Sequence, residues 1–361
     1  MIIMAKETIG LSREYIIHPG ESLAEAIIDR GMSQHDLAVR TGMTEKHIST
    51  VIAGQKNISP AFAKKLEYAL GIKASFWMNL QMNYDQELLE FEELNNISDE
   101  ELSILKNLKE VSEKWIDFGI LKEGESPVEL ILDYRNILGI SNLLDIPRIS
   151  YCAAFRAQNK NIKVDPYVLF AWQRMCELLT DQNVSDCVDI DKLKDKIPDI
   201  KKTMFLRTDL IVKRLSDIFC DCGIAFKVVP NFKGAPVQGF IKKSDGGPTI
   251  LCVTLRQKFA DIFWFTLFHE IAHIINGDAK RIFLDFESAS KNIEIKANKD
   301  AQDFLIDSEE YSSFVASKRY EHMVEIEHFA KSQNVKDYIV LGRLMNDKCI
   351  PWGDRTKYEW G

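Results

Sequence analysis

The run from Asp261 to Asn276 constrains this chain more than any other segment. It is long enough for about four helical turns and carries Ile262, Phe263, Trp264, Phe265, Leu267, Phe268, Ile271, Ile274 and Ile275. A helix that is apolar on nearly every face must be buried. Yet His269, Glu270 and His273 lie inside it. Three polar side chains in such a place are costly unless something compensates them. Residues four apart share a helix face, so both imidazoles can reach one metal ion, and zinc suits them. Glu270, rotated by one residue, can hold a water that zinc acidifies and take its proton. A core helix with two hydrogen-bonded histidines is the competing reading.

Zinc in a catalytic site needs a third protein ligand. The acids downstream are Asp278, Asp285, Glu287, Glu294 and Asp300. Glu294 is favoured because it opens a helical run in which Ala297 and Ala301, four apart, let a second helix approach the first closely. The other acids remain alternatives. His322, His328, Tyr311 and Arg343 are candidates for stabilising an oxyanion, although a structural role explains each more simply. The strand expected over Thr249–Leu255 lies just before the buried helix, where an edge strand can pair with an extended substrate.

At 361 residues the chain is long for one domain. A net charge of −8 excludes a polycation, so any nucleic-acid surface must be local. Residues 1–80 hold nine Lys/Arg against eight Asp/Glu, and residues 81–110 hold nine Asp/Glu against two Lys, so the acidity begins where a first domain ends. Seven cysteines with no Cys-x-x-Cys argue against a disulfide framework and against a thiolate zinc site. With no signal-like start and no uninterrupted apolar span, a soluble, cytoplasmic protein is expected, without a membrane partner.

Local signals divide residues 20–80 into short helices, and a fifth helix is expected over Phe76–Leu89. Ser33 is an N-cap with Asp36 three residues on, Thr44 caps another helix, and Ser59-Pro60 starts a fourth. Gly42 sits at a turn where positive φ is cheap only for glycine. With Leu37, Ile48 and Val51 inward and Ala38 at the crossing, the pair over 33–54 has helix-turn-helix spacing. Gln34, Thr44, Glu45, Lys46, Ser49 and Thr50 then face outward, where such folds contact base edges. Gln34 suits adenine and Lys46 guanine. Lys56, Lys64 and Lys65 can neutralise phosphates. Glu45 is unusual there; it would accept from cytosine or pair with a lysine. A helical domain that binds protein would share this spacing.

Residues 90–145 are amphipathic, with Ile104, Leu108 and Val111 on one face, and read as a helical spacer or a dimerisation arm. Helices continue through 167–179 and 208–222. Short β runs follow at 225–229, 239–242 and 249–255, and helices return from 258. The fold class expected is α+β, predominantly α. Its parts are a helix-turn-helix domain (1–82), a helical connector (83–148) and a zincin-like domain with a small sheet (149–361).

Two family resemblances bear on function. His18-Pro19-Gly20-Glu21, Gly31-Met32-Ser33-Gln34, Leu37-Ala38, Thr41-Gly42-Met43, Ile48-Ser49, Gly54-Gln55, Ile58-Ser59 and Phe76-Trp77 resemble the HigA-type antitoxins among the Xre/Cro-like repressors. This implies a dimer that binds operator DNA and represses its own promoter. Phe265 to Ile274, with Glu294-x-x-Ala297-Asn298-x-x-Ala301 and Leu305-Ile306, resembles the ImmA/IrrE-type metallopeptidases. Gly239, Leu255-Arg256, Asp261 and the stretch 339–344 agree with it. This second resemblance implies that Glu294 is the third ligand and that the substrate is a transcriptional repressor or antitoxin-like regulator. Asp300 and Asp307 depart from that family, which usually has an aromatic at the first position and often proline at the second. The function expected is therefore a DNA-binding zinc endopeptidase that regulates transcription. The alternative is an autorepressor or antitoxin whose metallopeptidase-like part only senses a ligand or is structural.

Overall fold

Helix caps and apolar spacing account for most of the N-terminal architecture. The computed structural model describes residues 13–149, 164–180, 184, 187–243, 247–255, 259–278 and 290–351. The chain divides into two compact units, residues 1–102 with 125–132 and residues 103–124 with 133–361; the division runs inside the segment expected to be a connector.

In the first unit five helices follow in order: α1 (Pro19–Asp29), α2 (Gln34–Thr41), α3 (Glu45–Ile52), α4 (Pro60–Leu70) and α5 (Ala74–Asn95). Ser33 and Asp36 form a reciprocal capping box at α2, Thr44 accepts from the His47 amide at α3, and Ser59 accepts from the Phe62 amide at α4. Gly42 ends α2 in the left-handed region at φ 60°. Helix α5 runs further than the predicted Phe76–Leu89, because Glu, Gln, Met and Leu sustain it up to the Asn95-Asn96 pair. Leu23, Leu37, Ile48, Val51, Phe62, Leu66 and Trp77 make one closed core. Buried Gln81 accepts from the Ile58 amide at 2.8 Å, so the core carries that polar group at little cost.

The helix α6 (Asp99–Asp117) buries Ile104, Leu108, Val111 and Trp115. Trp115 packs on Tyr134 of α7 (Pro127–Leu138), whose hydroxyl lies 2.8 Å from Ser112 Oγ. The 104/108/111 stripe is thus core.

The rest of the second unit is mixed, so the fold class is α+β and predominantly α. Helices α8 (Pro166–Leu179), α9 (Ile190–Lys202) and α10 (Thr208–Asp221) precede strands β1 (Ile224–Val229), β2 (Gly239–Lys243) and β3 (Thr249–Thr254). Helices α11 (Ala260–Asn276), α12 (Ser290–Leu305), α13 (Ser308–Ala316), α14 (Met323–Ser332) and α15 (Asp337–Asn346) follow. The sheet order is β1-β3-β2. β3 pairs parallel with β1, Ile224 opposite Thr249, and antiparallel with β2, Gly239 opposite Val253. This corrects the expectation that 249–255 offers an edge: β3 is central and all its residues are buried. Among the described residues the free edges belong to β1 and β2. The continuous apolar run Ile250-Leu251-Cys252-Val253 suits a strand covered on both faces rather than one facing solvent.

Helix α11 is the axis of the largest core. Phe263, Trp264, Leu267, Phe268, Ile271 and Ile274 are buried with sheet residues Leu251 and Val253 and with Val340 and Leu344 of α15. Ile262 and Phe265, also apolar, stay partly exposed. Among the described residues no helix is long and apolar enough to cross a membrane.

Replacing Trp77 with Ala removes a fully buried indole from the first core. It should cost about 3–5 kcal/mol and abolish the cooperative unfolding transition of the N-terminal unit. A denaturant midpoint equal to wild type would contradict this packing.

Candidate functional site

The paired histidines converge with the predicted third acid. Helix α12 lies against α11 with Ala297 and Ala301 fully buried, and these small side chains permit the close approach. Glu294, one turn before Ala297, is carried to the histidines. His269 Nε2 and His273 Nε2 are 3.0 Å apart; Glu294 Oε2 is 3.2 Å from the first, and Oε1 is 3.5 Å from the second. The three are the one His/Cys/Asp/Glu group among the described residues with donor atoms mutually within 4.8 Å. Three ligands held at ~2.0–2.1 Å around a tetrahedral ion would be about 3.3 Å apart. The distances bracket that value.

Two of the other candidate acids, Asp278 and Asp300, are engaged elsewhere. Asp278 is no ligand: its Oδ2 lies 3.4 Å from His273 Nδ1, the ring atom turned away from the cluster. That contact directs the Nε2 lone pair inward, a support typical of metal-bound histidine. Asp300 accepts from Asn276 Nδ2 at 2.8 Å, and Lys296 donates to the Asn276 carbonyl oxygen at 2.6 Å, tying the end of α11 to α12. That tie is what an acid does where the resembling family has an aromatic. Asp307 caps α13 through the Glu309 and Glu310 amides. Asp285, Glu287 and Arg256 lie outside the described residues. His269 Nδ1 is buried without a hydrogen-bond partner among the described residues.

Two carboxylates in one site are pushed in opposite directions. Hydrogen bonds from His269 and His273 hold Glu294 at about 2, against the opposing effect of burial. Burial raises Glu270; the two imidazoles counter this and the Glu294 charge adds to it. His273 is pulled down by burial but raised overall by Glu294, Glu270 and Asp278. Gly239 at the start of β2 packs on Glu270 so closely that a Cβ there would overlap its carboxylate. A free sheet edge therefore begins beside the candidate base. No local pattern in the sequence signals this contact, since 31 positions separate the two residues.

Tyr311 and Arg343 are used structurally. The Tyr311 hydroxyl donates to Asp347 at 2.9 Å. Arg343 Nη1 donates to the carbonyl oxygens of Gln302 and Ile306, and its guanidinium lies 3.9 Å from the Tyr311 ring centroid. His322 and His328 are exposed.

In the first unit the outward set is present on α2 and α3. Lys46 is exposed and Gln34 half-buried, neither with a protein partner among the described residues. Thr44 is committed to its cap at 3.2 Å. Ser49 and Thr50 donate to the Lys46 carbonyl, leaving oxygen lone pairs outward. Glu45 faces His35, Oε2 to Nδ1 3.4 Å, rather than a lysine. Lys64 pairs with Glu67, while Lys56 lies 3.1 Å from His47 Nδ1. His47, which spacing did not single out, packs edge-on against Phe62. Burial first, then Lys56 and Lys65, lowers its pKa and keeps it neutral.

Comparison with known proteins bears on this first unit. A helix-turn-helix family model, HTH_3, matches residues 23–77. Virulence-associated protein I of Dichelobacter nodosus is 33% identical over 75 residues, which span 20% of this chain and 69% of that protein. An addiction module antidote protein of a HigA family from Coxiella burnetii is 28% identical; the match covers 27% of this chain and 91% of that structure, with a TM-score of 0.19. The matched residues are those whose caps and core build α1 to α5. By this segment the chain belongs to the HTH_3 helix-turn-helix family.

Proposed function

We propose that this protein is a DNA-binding zinc endopeptidase of the ImmA/IrrE type that regulates transcription by cleaving a repressor or antitoxin-like regulator. The observation that carries the enzymatic half is the convergence of His269, His273 and Glu294 beside a half-buried Glu270. Two imidazoles and a carboxylate form a donor set that fits zinc, and three protein ligands would leave a fourth position open, the pattern of catalytic rather than structural sites. Glu294, held ionised to low pH, suits a ligand. Glu270, raised by burial, suits proton exchange nearer neutrality. A bound zinc would supply Lewis acidity at the scissile carbonyl and acidify water there. Glu270 would take the proton of the attacking water and return it to the leaving amine nitrogen. The role of pairing with an extended substrate backbone passes from β3 to the free edge of β2, which starts at Gly239 against Glu270.

The helix-turn-helix supports DNA binding, with Gln34, Lys46, Ser49 and Thr50 as the direct readers. Recognition of a symmetric operator by a homodimer, and autorepression of the antitoxin kind, belong to the same reading. A repressor with an idle metallopeptidase-like unit is the alternative. Repression indifferent to chelator, with no cleavage by the purified protein, would select it.

Purified protein should hold about one zinc per chain. The Glu270→Gln variant should keep the metal and lose cleavage of a mixed peptide library by about 10²–10⁴-fold, read by mass spectrometry. Equal cleavage by this variant would end the enzymatic reading. Asp278→Asn should weaken zinc binding by about 10–100-fold in a competition titration with a chelating dye; unchanged affinity would remove Asp278 from the site. Lys46→Ala should weaken binding to the DNA upstream of its own gene and make it less salt-dependent, in an anisotropy titration at two ionic strengths. Identical curves would place the reading face elsewhere.

A further inference from the structure

Ile262 and Phe265 stay partly exposed on an otherwise buried helix because they wall a cavity of about 280 Å³. The cavity lies between α11, α12 and α15, with Leu305, Ile306 and Ile339 opposite them. Its wall on α11 ends at Thr266, three residues before His269. Phe265 precedes His269 by one turn, and the two rings are 6.3 Å apart. Gln238, also in the lining, is the neighbour of Gly239, which touches Glu270. Gln302 lies on the helix that carries Glu294.

The size and the charges restrict what can enter. The volume falls just below the roughly 300–1,000 Å³ of small-molecule sites but holds one large side chain. Among the described residues the charged ones in the lining are Arg343 and Asp261, of opposite sign. Arg343 is already used by two carbonyl oxygens and by the Tyr311 ring, and Asp261 is engaged by other protein groups. With one charge of each sign in the wall, a charged side chain of either sign meets a repulsion beside any attraction while losing its water.

We infer that this cavity is the specificity pocket of the peptidase and takes a large apolar or aromatic side chain next to the scissile bond of the substrate. The inference rests on the endopeptidase reading. It makes Ile262, Phe265 and Ile339 determinants of which peptide bond is cut.

The test uses full-length protein and quenched octapeptides of alanine with Ala, Asp, Lys, Leu or Phe at one central position. Leu and Phe peptides should exceed Ala in kcat/KM by roughly 10–200-fold, and Asp and Lys should fall below Ala. Ile262→Trp and Asn346→Trp fill the cavity from two walls, the second from an exposed position that tolerates the change. Either should erase the preference while zinc content persists. A second readout needs no turnover: a fluorescent Phe peptide should bind Glu270→Gln protein more tightly than the Ala peptide, and Ile262→Trp should abolish the difference. Cleavage without side-chain preference, or a preference unchanged in both Trp variants, overturns the pocket and leaves the peptidase standing. Phe-peptide binding lost in both Trp variants, with no cleavage of any peptide by wild type, supports the pocket and overturns the peptidase. Neither binding nor cleavage overturns both.

Discussion

The close approach of α11 and α12 is the contact on which the C-terminal chemistry depends. Two alanines at helical spacing, both fully buried, allow it. Larger side chains at 297 and 301 would drive the helices apart and carry the Glu294 carboxylate away from the imidazoles. Two imidazole nitrogens 3.0 Å apart either share one proton in a hydrogen bond or turn both lone pairs to a cation; the zinc proposed above is the second case.

Around that point the surroundings sort the carboxylates into different tasks. Glu294 reaches the cluster from a partly exposed position and accepts from both histidines, which keeps it ionised. Glu270 is turned inward against Gly239, where burial favours the neutral form. Asp278 meets the far nitrogen of His273 and orients the ring. Environments that push neighbouring groups apart in pKa are how one site accommodates both a ligand and a proton carrier. A cavity walled by Ile262 and Phe265 lies one turn along the same helix.

The N-terminal unit rests on different physics. Its first four helices are short, and each is started by a side-chain cap. Helices of eight residues such as α2 and α3 are marginal alone; the shared core around Leu37, Ile48 and Trp77 holds them. This leaves the outer face of α3 free to carry polar side chains chosen for a ligand rather than for stability. The exposed Lys46, with no protein partner among the described residues, is the clearest case.

What the sequence determined by itself is local. The capping box at Ser33, the cap at Thr44, the stripe of Ile104, Leu108 and Val111 and the four-residue spacing of His269 and His273 each lie within one or two helical turns. Backbone geometry over so few residues has few solutions. Only the tertiary structure decided among the acids: Asp278 went to the far side of His273, Asp300 to Asn276, and Glu294 to the cluster, because long-range helix packing sets which carboxylate arrives. Likewise β3 took the centre of the sheet. Its unbroken apolar run was the signal for that, but pairing on both sides is a non-local choice. The contact of Gly239 with Glu270 and the cavity beside Phe265 join segments distant along the chain, and no periodicity within a segment encodes where another segment will lie.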